Sequence, residues 1–216
     1  MRSLALSVSA VLLLATAPAA FAAKEPKEVI DCRGGEGITP DAQIEGCTKA
    51  LKSGKLNTAG RATALYNRGN GYLLKGDQDK AVEDYNEAIK VKPDYAPPYI
   101  NRGYVAQSKK QYDVAIKDYD EAVRLAPDEP EAFLNRGNAY YDKGDDVRAV
   151  ADYDQAIKLK PDLATAYFNR GSVHHNKGRF DAAIADFDKY IELMPNDPNG
   201  KKARDESVKS KAAGGK

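Results

Sequence analysis

A four-residue pattern recurs at a fixed interval and limits the folds open to this chain more than any other feature. The pattern is an apolar residue followed by Asn, Arg and Gly, and its asparagines are Asn67, Asn101, Asn135 and Asn169. Successive copies lie 34 residues apart, since 101 − 67, 135 − 101 and 169 − 135 all equal 34. A period of this length is typical of proteins whose repeats stack to share one core. The interval therefore predicts a solenoid with units at 62–95, 96–129, 130–163 and 164–197.

Each unit has the composition of two helices joined by a short turn. The first helix ends at a lysine, which complements the negative end of the helix dipole, and in three units a glycine follows as a helix stop. The second helix carries small and aromatic residues at i, i+4 and i+7, which form one apolar stripe. In the first unit these are Ala81, Tyr85 and Ala88, and Pro93 then closes the unit because proline disfavours helix in the preceding residue.

The period and the positions of Gly, Ala, aromatic and Pro residues resemble the tetratricopeptide repeat family over 62–197. The chain departs from the family pattern in having no Trp near the start of the first helix. The resemblance implies an all-α fold, a right-handed α-solenoid of four helix-turn-helix repeats whose first helices line a concave groove. Upstream, 23–61 is predicted to form an arm and a degenerate capping half-repeat. Downstream, 198–216 is predicted to form a polar capping helix and a basic flexible tail.

The first 22 residues have the features of a cleavable signal peptide. Arg2 precedes an uncharged apolar stretch, and Ala20-Phe21-Ala22 is a small-x-small cleavage site. The alternative, an uncleaved anchor, is disfavoured because the apolar run is short for a membrane span. We therefore expect a periplasmic or secreted protein that is not inserted in the membrane after cleavage.

Cys32 and Cys47 are the two cysteines of the chain. In an oxidising compartment an even pair of this kind predicts a disulfide. A metal site is the weaker alternative, because the two thiols have no third Cys or nearby His. We expect no bound metal and no cofactor.

The family resemblance also implies which side chains face a partner in the groove. These are Tyr66, Asn67, Asn70, Ile100, Asn101, Tyr104, Leu134, Asn135, Asn138, Tyr141, Phe168, Asn169 and His175. A row of asparagines offers donors and acceptors to an extended peptide backbone. The alternative is that the asparagines satisfy neighbouring backbone groups of the chain itself. Relatives that clamp a carboxylate need cations where Tyr66, Glu131 and Asn135 stand, so we expect a neutral or mildly basic partner.

Charged residues recur on both helices of every unit. The set comprises Arg68, Arg102, Arg136 and Arg170 on the first helices and Asp84, Asp118, Asp152 and Asp186 on the second helices. A partly buried Arg needs a carboxylate partner, so we interpret the set as a structural ladder of ion pairs. The functional alternative is an anion-binding stripe.

No pattern in the sequence indicates catalysis or nucleic-acid binding. The 33 Lys and Arg residues balance 32 Asp and Glu residues, whereas a nucleic-acid surface needs a clear excess of positive charge. Adjacent His174 and His175 point about 100° apart on a helix and suit no common metal ion. We therefore expect a non-enzymatic, monomeric adaptor of the bacterial envelope that binds a protein or peptide. The alternatives are a self-assembling structural solenoid and an accessory subunit of an envelope enzyme or secretion complex.

Overall fold

The structure, a computed structural model, describes residues 31–214, and its regular elements in that range are all α-helices. They are α1 Pro40–Lys52, α2 Thr58–Leu74, α3 Gln78–Val91, α4 Ala96–Ser108, α5 Tyr112–Leu125, α6 Pro130–Lys143, α7 Asp146–Leu159, α8 Ala164–Asn176, α9 Phe180–Leu193 and α10 Pro198–Gly214. The prediction of an all-α fold built from helix-turn-helix repeats is confirmed. The expected signal peptide, 1–22, and the start of the expected arm, 23–30, lie outside the described residues. Within 31–214, none of the helices has the length and apolar character needed to span a bilayer.

The described residues fall into two compact units, 31–125 and 126–214. In the first unit, α2 packs against α3 and α4 packs against α5, while α1 covers α2 and α4 also contacts α3. In the second unit, α6 packs against α7 and α8 against α9, while α8 also contacts α7 and α10 covers α9. Each unit therefore contains two helical hairpins and one further helix.

The glycine of the repeated pattern permits the close approach of the two helices in a hairpin. A Cβ atom added at Gly69 would lie 2.6 Å from Cε1 of Tyr85, and one added at Gly137 would lie 2.8 Å from Cε1 of Tyr153. Both tyrosines are fully buried, as is Ala81 one turn before Tyr85. The aromatic ring of the second helix thus occupies the space that a side chain on the first helix would need.

The turn inside each hairpin is set by local chemistry. Gly76 has a φ of 82°, a conformation that glycine adopts without a steric penalty. The side chain of Asp77 then accepts a hydrogen bond from the N–H of Lys80 at 3.2 Å and so caps the N-terminus of α3. In the second hairpin Lys110 takes the glycine position with a φ of 59°. The turn geometry is therefore kept even where the glycine is absent.

The N-terminal segment packs on the first full hairpin. Cys32 and Cys47 form a disulfide, and both are buried together with Ala64 of α2. Leu51 of α1 contacts this cluster as well. A Cβ atom at Gly71 of α2 would lie 2.8 Å from the side chain of Ile44, so α1 also approaches α2 closely. These contacts cover the apolar surface of α2 that would otherwise face water.

The polar capping helix expected after Pro198 is present as α10, but it continues to Gly214, where the expectation was a flexible tail. Ala203 is buried, and the carboxylates of Asp188 and Asp181 on α9 pair with Arg204 and Lys211 of α10. The helix is therefore held along its length by contacts that its low apolar content does not suggest.

Candidate functional site

Most of the side chains expected to line the groove are buried within the chain. At most 8% of the residue surface is exposed in Tyr66, Asn67, Asn70, Ile100, Asn101, Leu134, Asn135, Asn138 and Phe168. The expectation that this whole set is open to a partner is wrong. The side chains of Tyr104, Tyr141, Asn169 and His175 remain partly exposed.

Two aromatic members of the set, Tyr66 and Phe168, belong to the hydrophobic core. The ring of Tyr66 lies 6.1 Å from that of Tyr85, measured between centroids. The ring of Phe168 lies 5.4 Å from that of Phe187 and 5.0 Å from that of Tyr190. Because the glycine pattern brings the two helices of a hairpin together, these rings pack against the second helix. They contribute to stability and do not form contact surface.

In unit 31–125 the asparagines form a hydrogen-bond network with tyrosines. Oδ1 of Asn70 accepts from the hydroxyl of Tyr85 at 2.8 Å and from Nδ2 of Asn101 at 2.7 Å. Nδ2 of Asn101 also donates to the hydroxyl of Tyr66 at 3.2 Å. These bonds fix the orientation of the Asn101 amide, since reversing it would place two acceptors together. Oδ1 of Asn101 is buried and has no partner.

In unit 126–214 a matching network surrounds Asn138. Its Oδ1 accepts from the hydroxyl of Tyr153 and from Nδ2 of Asn169, both at 2.9 Å. Its Nδ2 is buried and has no partner. In each unit one asparagine amide therefore makes two hydrogen bonds through one of its polar atoms and none through the other. The atom without a partner is the acceptor Oδ1 in Asn101 and the donor Nδ2 in Asn138.

Two tyrosine hydroxyls, those of Tyr85 and Tyr153, act as donors in these networks. Burial raises the pKa of both phenols far above the ordinary value, which is itself well above neutral pH, so both stay protonated. The amide oxygens of Asn70 and Asn138 accept the hydrogen bonds that these hydroxyls donate.

Asn70 and Asn138 occupy the same position of the first and third repeats, since 138 − 70 = 68 is twice the repeat length of 34. The corresponding position is Tyr104 in the second hairpin and Ser172 in the fourth. In the second hairpin the hydroxyl of Tyr119 donates to Oε1 of Gln107 instead, at 3.1 Å. In the fourth hairpin Phe187 has no hydroxyl, and Ser172 bonds the backbone oxygen of its own helix. The second-helix aromatic carries a hydroxyl in the hairpins whose first helix offers an amide acceptor.

The Arg–Asp set forms ion pairs between the two helices of each hairpin. The pairs are Arg68–Asp84, Arg102–Asp118, Arg136–Asp152 and Arg170–Asp186, and in each one Nε and Nη2 donate to the two carboxylate oxygens at 2.6–3.0 Å. The aspartate side chains are 7–9% exposed and the arginine side chains 19–27%. Hydrogen bonding to the carboxylate raises the pKa of Arg68, Arg102 and Arg170. Bidentate pairing of buried carboxylates favours the structural interpretation over an anion-binding stripe.

Some arginines of the ladder also reach the second helix of the preceding hairpin. Nη1 of Arg102 donates to Oδ1 of Asn86 at 2.6 Å, and Arg170 pairs with Asp154. Arg204 on α10 makes the same contact with Asp188 at 2.6 Å. Sequence reasoning missed Arg204, although 204 − 170 = 34 places it in the repeated register.

The two histidines have separate environments. His174 is 13% exposed, its Nδ1 has no partner, and its Nε2 lies 4.0 Å from Oδ2 of Asp186. Burial, followed by the charge of Arg179, lowers the pKa of His174, so the ring is neutral at pH 7. Nδ1 of His175 lies 2.8 Å from Oγ of Ser207 on α10. In the part of the chain that the structure describes, no cluster of three or more His, Cys, Asp or Glu side chains could hold a metal ion.

An acidic pair marks the start of α6. Glu131 is 14% exposed in its side chain and pairs with Lys160 at 3.3 Å. A hydrogen bond from Glu129 to Glu131, together with burial, raises the pKa of Glu129 to about 7. Glu129 therefore carries only part of its charge at neutral pH.

Comparison with known proteins shows matches to two family models. One, described as TPR repeat, matches residues 107–144 and 137–178, and the other, described as Tetratricopeptide repeat, matches residues 62–95 and 164–197. A DnaJ homolog subfamily C member 3 homolog from Dictyostelium discoideum is 45% identical over 51 residues. That segment is 24% of this chain and 9% of the relative, so the chain spans only a small part of the relative's length.

Solved structures share the fold over most of the chain. MamA from Desulfovibrio magneticus, residues 41 to the end, is 22% identical with a TM-score of 0.65, covering 80% of this chain and 98% of that one. YrrB, described as a TPR protein with an unusual peptide-binding site, is 23% identical with a TM-score of 0.62, covering 77% of this chain and 84% of that one. At these identities the likeness establishes the arrangement of helices alone.

Proposed function

The chain belongs to the tetratricopeptide repeat family of protein-interaction scaffolds, and we propose that it binds an extended segment of a partner protein along the first helices of its hairpins. Proteins of this family are generally non-catalytic, so the proposed function is binding. The description of YrrB as a peptide-binding protein of the same fold supports the proposal.

The observation that carries the proposal is the unused hydrogen-bonding capacity of two asparagines. Oδ1 of Asn101 lacks a donor, and Nδ2 of Asn138 lacks an acceptor. A buried polar atom without a partner costs about 1–3 kcal/mol, which a bound group can recover. A peptide backbone carries both kinds of group, so it can offer an N–H to Asn101 in unit 31–125 or a carbonyl oxygen to Asn138 in unit 126–214.

A tyrosine lies one helical turn beyond each of these asparagines and on the same face of its helix. These are Tyr104 on α4 and Tyr141 on α6, and both are partly exposed. We propose that a partner segment reaches each amide when the neighbouring ring turns aside, which for Tyr141 breaks the hydrogen bond that its hydroxyl accepts from Nδ2 of Asn176. The rings then pack against the bound segment, so that apolar burial adds to the backbone hydrogen bonds.

The charge of the first helices suits a neutral or mildly basic segment. Glu131, the partly charged Glu129 and Asp142 lie on or beside α6, and the cationic clamp of carboxylate-binding relatives is absent. Lys160 offsets part of this negative charge by pairing with Glu131. An acidic partner segment would meet carboxylates without enough compensating cations.

We propose further that the protein acts in the bacterial envelope. The signal-like segment at 1–22 supports export, and so does the Cys32–Cys47 disulfide, because such bonds persist in oxidising compartments. Alkaline phosphatase fused after residue 61 would be active if export occurs, and inactive if the chain stays in the cytoplasm.

The binding proposal can be tested with one isosteric substitution. In Asn138→Asp the Oδ1 acceptor of Tyr153 and Asn169 is retained, while the free donor becomes an acceptor that repels a peptide carbonyl. Affinity capture from envelope extract should lose partners with this variant and keep them with Asn196→Asp, the same exchange at an exposed position. Recovery of the same partners with the wild type and both variants would refute the proposal.

A further inference from the structure

A hollow of about 410 Å³ lies beside the turn between α8 and α9 in unit 126–214. It is lined by Asp146, Val147, Val150, Lys177 and Arg179. Val147 is 83% exposed, whereas the other exposed large apolar side chains of the described residues are 41–55% exposed. None of the lining residues belongs to the asparagine networks, so this surface is separate from the proposed peptide site.

Val147 occupies a repeat position at which every other hairpin has an aspartate. The corresponding residues of the other hairpins are Asp79, Asp113 and Asp181. Asp79 pairs with Lys109 at 2.8 Å, and Asp181 pairs with Lys211. Lys177, whose repeat position matches Lys109, pairs instead with Asp146 at 2.6 Å. A valine thus replaces the aspartate at this one place, while the lysine charge is still neutralised.

The rim of the hollow carries one uncompensated positive charge. Asp146 neutralises Lys177, whereas Arg179 forms no ion pair with any residue of 31–214. The corresponding residues of the other hairpins are Asp77, Gln111 and Asp145. An arginine therefore stands beside the exposed valine where the other repeats have an acidic or neutral side chain.

We propose that this hollow is a second contact surface, which holds the C-terminal apolar residue of a partner polypeptide. The side chain of that residue packs on Val147 and Val150, and its terminal carboxylate pairs with Arg179. A terminal residue suits the site because one α-carbon bears both the apolar group and the negative charge. The volume lies within the range of known small-ligand pockets and accommodates a leucine side chain with its carboxylate.

The test uses N-acetyl-L-leucine as a probe of the C-terminal residue. Nuclear magnetic resonance of the valine methyl groups and backbone amides is followed as the probe is added. The proposal predicts saturable shifts at Val147, Val150 and Arg179, with none at the matching position around Asp79. N-acetyl-L-leucinamide and the Arg179→Gln variant should each bind about fivefold more weakly, as loss of an exposed ion pair implies.

A matched variant distinguishes binding at this site from non-specific binding of the probe. Val147→Asp restores the aspartate of the other hairpins and should abolish the shifts without changing the melting temperature. The proposal is overturned if N-acetyl-L-leucine gives no saturable shift. It is also overturned if Val147→Asp binds N-acetyl-L-leucine as well as the wild type does, or if the wild type binds N-acetyl-L-leucinamide as well as N-acetyl-L-leucine. Binding of hexanoate without binding of N-acetyl-L-leucine would show a free fatty acid, not a polypeptide, as the occupant and would also overturn it.

Discussion

Replacing Arg102 by methionine breaks one ion pair of the ladder while keeping most of the apolar stem. Arg102 donates two hydrogen bonds to Asp118 at 2.9 and 2.6 Å, and its guanidinium carbon lies 5.6 Å from the centre of the Tyr99 ring. The variant leaves the carboxylate of Asp118 with 9% exposure and without its cation. The unfolded chain exposes that carboxylate to water, so the variant destabilises the folded state.

The size of the effect follows from burial. Breaking a fully buried ion pair costs about 3–5 kcal/mol, whereas an exposed pair contributes about 0–1 kcal/mol. The Arg102 side chain is 27% exposed, so water reaches part of the vacated space and the cost falls between the two ranges, nearer the first. We expect the free energy of unfolding to drop by about 2–3 kcal/mol.

Urea unfolding followed by circular dichroism measures this loss. The control is Lys109→Met, which breaks the Lys109–Asp79 pair, whose side chains are 40% and 88% exposed. That variant should change the unfolding free energy by less than about 1 kcal/mol. The double variant Arg102→Met/Asp118→Leu should recover much of the loss, because no unpaired charge remains. If Arg102→Met costs no more than Lys109→Met, the ladder does not stabilise the hairpins and the reasoning is refuted.

Three further predictions concern packing, protonation and the disulfide. Gly103→Val should lower stability by at least about 3 kcal/mol, because even a Cβ atom there lies 2.8 Å from a buried tyrosine ring, whereas Gly214→Val, which meets nothing within 4 Å, should leave urea unfolding unchanged. The wild type should lose stability as the pH falls below about 6.5, because burial lowers the pKa of His174 in the folded state and the unfolded chain then binds the proton more readily. Thermal melts between pH 5.5 and 8 should show a smaller loss in the variant His174→Tyr. Reductant should destabilise the wild type by about 3 kcal/mol through release of the loop between Cys32 and Cys47, and equal melting with and without reductant would contradict a stabilising disulfide.

The fold could be predicted from the sequence because its determinants are local and repeated. Glycine at the close approach, a lysine at the end of the first helix and proline after the second helix each act within a few residues. Gly69 against Tyr85 and the cap at Asp77 illustrate this local control. Because the period is fixed, the same local determinants recur in every hairpin.

The site was harder to predict because it depends on contacts between hairpins. The family resemblance implied that Asn70 and Asn101 lie on the same face of successive first helices, but it could not show that they bond each other across 31 residues. The sequence nonetheless contained a signal for these hydrogen-bond networks, in the residue types that occur together within a hairpin. Tyr85 and Tyr153 donate to Asn70 and Asn138, whereas the residues at the corresponding positions of the fourth hairpin are Phe187 and Ser172.

The length of the C-terminal helix was harder to predict for a similar reason. The low apolar content of 198–216 indicates a capping helix with a flexible tail, because composition reflects burial and not ion pairing. Arg204 lies in the register of the ladder and binds Asp188, and Ser207 lies beside His175. These polar contacts hold the helix on α9 and α8.

The measurement that tests the central claim most directly is the affinity of the wild type and Asn138→Asp for one peptide. A neutral peptide selected on the wild type from a displayed library would be labelled, and its Kd measured by fluorescence anisotropy. The account predicts a loss of about tenfold or more for Asn138→Asp, as expected when a buried hydrogen bond is replaced by repulsion, with no change for Asn196→Asp. Equal Kd values for all three proteins would show that the buried asparagines take no part in binding and would contradict the account.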